Sequence, residues 1–152
     1  MKAVTISQLR KKVVKVGQAD LLDVGVRIGK FKVGRKEQLT YWWMKADDEI
    51  SYANDLCSEI DQHLDTPGRI HKKTLRKVVR WMDKSLRFSG DKETELQVRI
   101  HFCRRIKDKR ISFGNCRVSA NMYATQLKKI DKVIDKVHPD LQFDFNQQMS
   151  GL

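Results

Sequence analysis

The longest regular pattern in the chain runs from Arg35 to Leu64. Apolar residues recur at Leu39, Trp43, Ala46, Ile50, Ala53, Cys57, Ile60 and Leu64. Spacings of four and three put them on one stripe of a helix. The opposite face carries Asp47, Asp48, Glu49, Asp55, Glu59 and Asp61. The pattern predicts one long central helix, ended near Asp65 by the breaker Thr66-Pro67-Gly68. Upstream, residues 5–16 predict a short helix capped by Thr5 or Ser7, with Ile6, Leu9, Val13 and Val16 on one face. Val24 to Val33 then alternates and is β-branched, which predicts a strand. Gly25 and Gly29 would mark a bulge or an edge in it.

Downstream, a second helix is expected from about Ile70 to Phe88, with Leu75, Val78, Val79, Met82 and Leu86 as its apolar stripe. Glu95 to Cys103 alternates: Leu96, Val98, Ile100 and Phe102 point one way, and Gln97, Arg99, His101 and Cys103 the other. With Arg110 to Val118 as a second strand, this predicts a β-hairpin whose tip, Arg104 to Lys109, is basic. Ser119 would cap a last helix running to about Val137, stopped by His138-Pro139. Leu141, Phe143 and Phe145 would dock on the sheet. The fold class expected is α+β: a single domain over residues 1–152, with a long central helix, three further helices and a small antiparallel sheet.

Charge changes the picture more than length does. The 152 residues are 40% hydrophobic and 33% charged, enough apolar content for a core. The formal charge of +12 favours a polyanionic partner: DNA, RNA or an anionic membrane surface. The charge is unevenly placed. Residues 1–36 carry +8, residues 37–65 carry −7, residues 66–87 carry +7 and residues 99–129 carry +8. The long apolar-striped segment is thus the part least suited to touch phosphate. It reads instead as a spine for the basic elements, with part of its acid face paired to the basic helix behind it. Only Arg35 to Trp42 remains a contact candidate within it.

Three basic elements, with the entry of the central helix, are left for a ligand. Candidate phosphate contacts are Arg10, Lys11 and Lys12 in the first helix, and Arg35 and Lys36 at the start of the central helix. Arg69, Lys72, Lys73, Arg76, Lys77 and Arg80 follow in the second helix, and Arg104, Arg105, Lys107, Lys109 and Arg110 at the hairpin tip. Converging, they would form a groove whose affinity falls with salt and carries no sequence information. Trp81 or Phe88 could stack on exposed bases. The helices around Thr66-Pro67-Gly68 also invite a helix-turn-helix reading, but the first is too long for that motif.

Other chemistry finds little support. His101, Cys103 and Cys116 could supply three metal ligands from paired strands, although such residues more often simply pack. Asp47, Asp48 and Glu49 could hold Mg²⁺ in a nuclease, but adjacent helical acids point apart. The glycines Gly25, Gly29 and Gly34 lack the Lys-Ser/Thr ending of a phosphate-binding loop. No catalytic residue, metal or cofactor is predicted. The odd set Cys57, Cys103 and Cys116 has no CxxC pair and points to a reducing compartment. No apolar run approaches a membrane span, and Lys11, Lys12 and Lys15 interrupt any signal core, so a cytoplasmic protein is expected.

The segment Arg35-Lys36-Glu37-Gln38-Leu39-Thr40-Tyr41-Trp42 resembles the basic-polar-Gln segment and following aromatic pair of the phage lambda Orf (NinB) family of recombination proteins. Trp81, and Asn115 to Ser119 leading into Met122-Tyr123 and the last helix, are similar in placement, so the likeness covers residues 34–145. Leu39 stands where that family has Asn. The resemblance implies a phage protein that binds single-stranded or branched DNA as a dimer and assists recombination without catalysis. Non-catalytic nucleic-acid binding, DNA ahead of RNA, is therefore the expected function. A metal-dependent nuclease and a protein-binding phage inhibitor or adaptor are the alternatives.

Overall fold

A computed structural model describes residues 4–65, 71–109 and 117–152. Among these residues the chain is helical, with eight helices and no strand. It divides into two compact units, Met1–Met44 and Lys45–Leu152.

The first unit holds α1 (Ile6–Val13), α2 (Gln18–Phe31) and α3 (Val33–Met44). The expected short helix forms as α1. Thr5 and Gln8 close a capping box at its start, satisfying two otherwise orphaned N–H groups. The expected strand at Val24–Val33 is instead part of α2 and the start of α3. Gly25 and Gly29, four residues apart, share one helical face rather than marking a bulge. A Cβ on Gly25 would meet the Trp43 ring at 2.8 Å, and one on Gly29 would meet Leu39 at 3.3 Å. The glycines therefore let α2 and α3 approach closely, and Trp43 fills the space.

The predicted continuous helix Arg35–Leu64 is two helices. α3 ends at Met44, and α4 (Glu49–Leu64) starts afresh in the second unit. Asp48 is the N-cap: its Oδ1 accepts the Ser51 N–H at 2.9 Å. The shared apolar stripe is accordingly not a shared core stripe. Trp43 is 57% exposed and Ile50 75% exposed, whereas Tyr52, Ala53, Leu56, Ile60 and Leu64 are buried.

The second unit adds α5 (Lys72–Ser89), α6 (Lys92–Asp108), α7 (Arg117–Ile134) and α8 (Pro139–Met149). The expected β-hairpin is overturned. Glu95–Cys103 lies inside α6, Arg117 and Val118 open α7, and residues 110–116 lie outside the described residues. α6 is the centre of the unit and packs against α4, α5, α7 and α8. It buries Leu96, Val98, Ile100, Phe102, Cys103 and Ile106, a set too wide for a one-faced helix. Burial on several sides at once is what made its apolar residues alternate like a strand. Asp91 caps it by accepting the Thr94 N–H at 2.7 Å, with Glu93 and Glu95 in the first turn and Arg105 and Lys107 in the last, each suited to the helix dipole. Ser119 is a buried residue inside α7 rather than its cap. The tail docks not as an apolar strip on a sheet but as α8, with His138 as N-cap and Pro139 in the first turn.

Candidate nucleic-acid interface

α5 is the most sharply two-faced helix of the second unit. Leu75, Val78, Met82, Ser85 and Leu86 are buried along one side. At 3.6 residues per turn, Lys72, Lys73, Arg76, Lys77, Arg80, Lys84 and Arg87 fall on the arc opposite. Lys72, Lys73, Arg76, Lys77, Arg80 and Arg87 are exposed, and Lys84 is half-buried with its Nζ 5.9 Å from the Phe88 ring centroid. Among the described residues no carboxylate lies within ion-pair distance of Lys72, Lys73, Arg76, Lys77 or Arg80. The basic row spans fifteen residue steps, about 22 Å at the helical rise. Gly90, in the left-handed region at φ 71°, ends the helix and donates its N–H to the Leu86 carbonyl.

The single acid of α5, Asp83, at the edge of this arc, is engaged by α6 and α7. Asp83 accepts from Arg99 Nη1 at 2.8 Å and from Lys129 Nζ at 2.8 Å. Burial alone would raise its pKa, but the hydrogen bonds and charges of Lys129 and Arg99 outweigh that and hold it below the ordinary carboxylate value. Arg99 is 4% exposed and also bonds Glu95 and Gln126. The strand reading gave no role to this network, which ties α5, α6 and α7 together. Arg87, a seventh member of the basic arc, was likewise outside the predicted contact set; its Nε donates to the Asp83 carbonyl at 3.3 Å.

The predicted tip cations behave differently. Arg104, Arg105, Lys107 and Lys109 lie in or just after the last turns of α6, not on a loop. Arg105 Nε lies 2.7 Å from Asp61 Oδ1, which also pairs with His101 Nε2 at 2.8 Å. Lys109 Nζ bonds Asp65 at 2.6 Å and the Leu64 carbonyl at 2.9 Å. The Lys109 hydrogen bond and charge hold the Asp65 carboxyl below its usual range. Lys107 donates to the Gly151 and Leu152 carbonyls, and Arg104 to the Gln148 carbonyl. The acceptors are carbonyls at the end of α4 and at or just after the end of α8, where a helix leaves carbonyls unsatisfied and its dipole is negative. The α4 acids Asp61 and Asp65 therefore answer α6 and its end, and Asp55 answers Lys45 at 2.6 Å. Asp55, Asp61 and Asp65 thus meet cations outside α5, and of the α4 acids Glu49 reaches α5, at Ser89.

Of the remaining predicted contacts, Arg10, Lys11 and Lys12 are exposed on α1, and Arg35 and Lys36 on α3, all in the first unit. Arg69 and Arg110 lie outside the described residues. Trp81 is half-buried, edge-on to His63 with ring centroids 6.2 Å apart.

Two of the three carboxylates weighed as a Mg²⁺ site, Asp48 and Glu49, have other partners. Asp48 caps α4, while Glu49 Oε2 accepts from Ser89 and Thr94, each at 2.9 Å. The proposed strand face of His101 and Cys103 does not exist: His101 turns to Asp61, and Cys103 is buried with its thiol pushed up to about 12, chiefly by burial. Cys116 lies outside the described residues. Among the described residues no group of three or more His, Cys, Asp or Glu side chains could hold a metal ion, and no helix is long and apolar enough to cross a membrane.

Comparison of the chain with protein families, with curated proteins and with solved structures gives no match.

Proposed function

We propose that the protein binds nucleic acid, DNA ahead of RNA, through the exposed face of α5, without catalysing a reaction on it. One observation carries this reading: Lys72, Lys73, Arg76, Lys77 and Arg80 stand side by side on one rigid helix, opposite its buried side, with no carboxylate in ion-pair reach among the described residues. Charges left unneutralised inside the fold are the ones able to replace counterions on a phosphate backbone. The contacts are to backbone rather than base edges, so binding tolerates sequence. The likeness of Arg35–Trp42 to the Orf family adds a finer proposal, that the target is single-stranded or branched DNA met during recombination.

The test is a salt titration of binding to single-stranded DNA, duplex DNA, branched DNA and RNA. Five phosphate contacts predict a slope of log K on log salt of about −4.5 on duplex and about −3.5 on a single strand. Absence of measurable binding to all four at low salt would refute the proposal. Binding that survives high salt unchanged would point to an apolar mode instead.

A further inference from the structure

α1 is two-faced like α5, but it buries no residue. At 3.6 residues per turn, Ile6, Leu9 and Val13 fall within about 60° of arc. All three are exposed, from 42% at Val13 to 71% at Ile6. Cations border that row. Arg10 lies about 40° to one side of it and Lys12 about 60° to the other, while Lys11 lies nearly opposite. Lys15 follows in the turn after the helix. Residues 4–19 hold no acid, and among the described residues no carboxylate lies within ion-pair distance of Arg10, Lys11, Lys12 or Lys15. A hollow of about 430 Å³ lies where the apolar and basic surfaces meet, lined by Val4, Gln8, Leu9, Lys11, Lys12 and Lys15. An eight-residue helix with nothing buried draws little stability from its own hydrogen bonds, and the capping box secures only its first turn.

The row and the cations together indicate what covers α1. A phosphate backbone would engage the cations and leave the aliphatic row in water, and α1 has no aromatic side chain on which a base could stack. A folded acidic partner needs roughly 800 Å² of shaped surface on each side. α1 offers a row of three side chains on a helix about 12 Å long. An anionic bilayer surface suits both features. Its acyl boundary takes in a narrow aliphatic row without shape complementarity, and its headgroups attract the cations beside that row. Arg10 and Lys12, at the edges of the row, can bury their methylene stems and keep their charges at headgroup level. Lys11 and Lys15, farther from the row, add attraction across a distance comparable to the Debye length.

We infer that α1 is a peripheral lipid anchor, lying in the plane of an anionic membrane surface with Ile6, Leu9 and Val13 toward the acyl chains and Arg10 and Lys12 at the headgroup phosphates. One short helix gives weak, reversible attachment. The inference uses no residue of α5 and stands apart from the nucleic-acid reading.

Cosedimentation of the full chain with lipid vesicles tests it. Vesicles of phosphatidylcholine with about one third phosphatidylglycerol should carry the protein down at low salt, and progressively less as salt rises; vesicles of phosphatidylcholine alone should not. The deciding variant is Leu9→Gln with Val13→Gln, which keeps every charge and places a good helix former at two exposed positions. It should weaken binding to the anionic vesicles about tenfold or more, with helix content by circular dichroism and affinity for duplex DNA as in wild type. Arg10→Gln with Lys12→Gln should weaken vesicle binding by about tenfold as well. Failure to sediment with the anionic vesicles at low salt would overturn the inference. So would binding unchanged by the row variant, which would reduce the contact to general attraction by a basic protein, or an equal loss of DNA affinity in that variant, which would assign α1 to nucleic acid.

Discussion

α5 and the end of α6 carry the same residue types in the same unit, yet their charges have opposite fates. The cations Lys72, Lys73, Arg76, Lys77 and Arg80 are exposed on α5 with no described carboxylate in reach. Arg105 and Lys109 pair with Asp61 and Asp65, and Arg104 and Lys107, although exposed, donate to the Gln148, Gly151 and Leu152 carbonyls. Net charge counts both sets equally. What separates them is whether the helix presents its cations opposite its buried side or beside a neighbour bearing acceptors. A basic total is therefore a poor measure of an interface, and unpaired basic surface a better one.

The contrast can be broken in several places. The largest effect is expected from Arg76→Glu with Lys77→Glu and Arg80→Glu, which removes three of the proposed phosphate contacts and adds repulsion. Affinity for DNA at moderate salt should fall about a hundredfold or more by fluorescence anisotropy, with the urea midpoint close to wild type. Next is Arg99→Met, which leaves Asp83 and Glu95 partly buried without their guanidinium. Breaking one side of such a network should cost about 3 kcal/mol in urea unfolding, while the folded fraction still binds DNA.

A smaller effect is expected at Asp61→Asn, which weakens the links to His101 and Arg105. These groups are half-exposed, so a loss of about 1 kcal/mol is expected, with DNA affinity within about twofold.

The pH dependence follows from Asp83. Its folded pKa is lowered, so its contribution is complete above the ordinary carboxylate pKa of about 4 and is lost as pH falls through the folded value. The stability gap between wild type and Asp83→Asn should therefore be largest near neutrality and narrow in acid, as read from urea midpoints across that range. A gap that widens in acid would contradict the ion-pair assignment. The smallest effect concerns the thiols. With Cys103 pushed up to about 12 and Cys57 to about 11, both by burial first, alkylation at neutral pH should be slow in the folded protein, as peptide mass spectrometry would show, and rapid in urea.

The geometry of the candidate α5 face was readable from the residues, and much of the fold was not. The two-faced nature of α5 follows from apolar spacing at Leu75, Val78 and Met82, and its polar positions are nearly all Lys or Arg. α6 defeated the same logic because a helix buried on several sides has no polar face to set its period. Leu96, Val98, Ile100 and Phe102 then look like one side of a strand. Its capping signals, Asp91 with Thr94 and the acidic first turn, were present and pointed to helix. In α2 the alternation of valines hid a glycine pair whose four-residue spacing is helical. The break at Asp48 was hidden by a stripe that happens to stay in phase across it, although Asp48 with Ser51 is an ordinary cap. The tip cations were found in the sequence but their partners were not, since Asp61 and Asp65 lie about forty-five residues away and meet them only through helix packing.

The most direct test compares salt dependence in two variants of the same chain. In one, Arg76, Lys77 and Arg80 are changed to Gln; in the other, Arg104, Arg105 and Lys107 are changed to Gln. Each removes three positive charges. The α5 variant should flatten the slope of log K against log salt on duplex DNA by about 2.7, and the α6 variant should leave the slope as in wild type. Equal flattening by both variants, or flattening by the α6 variant alone, would contradict the distinction between free and engaged cations.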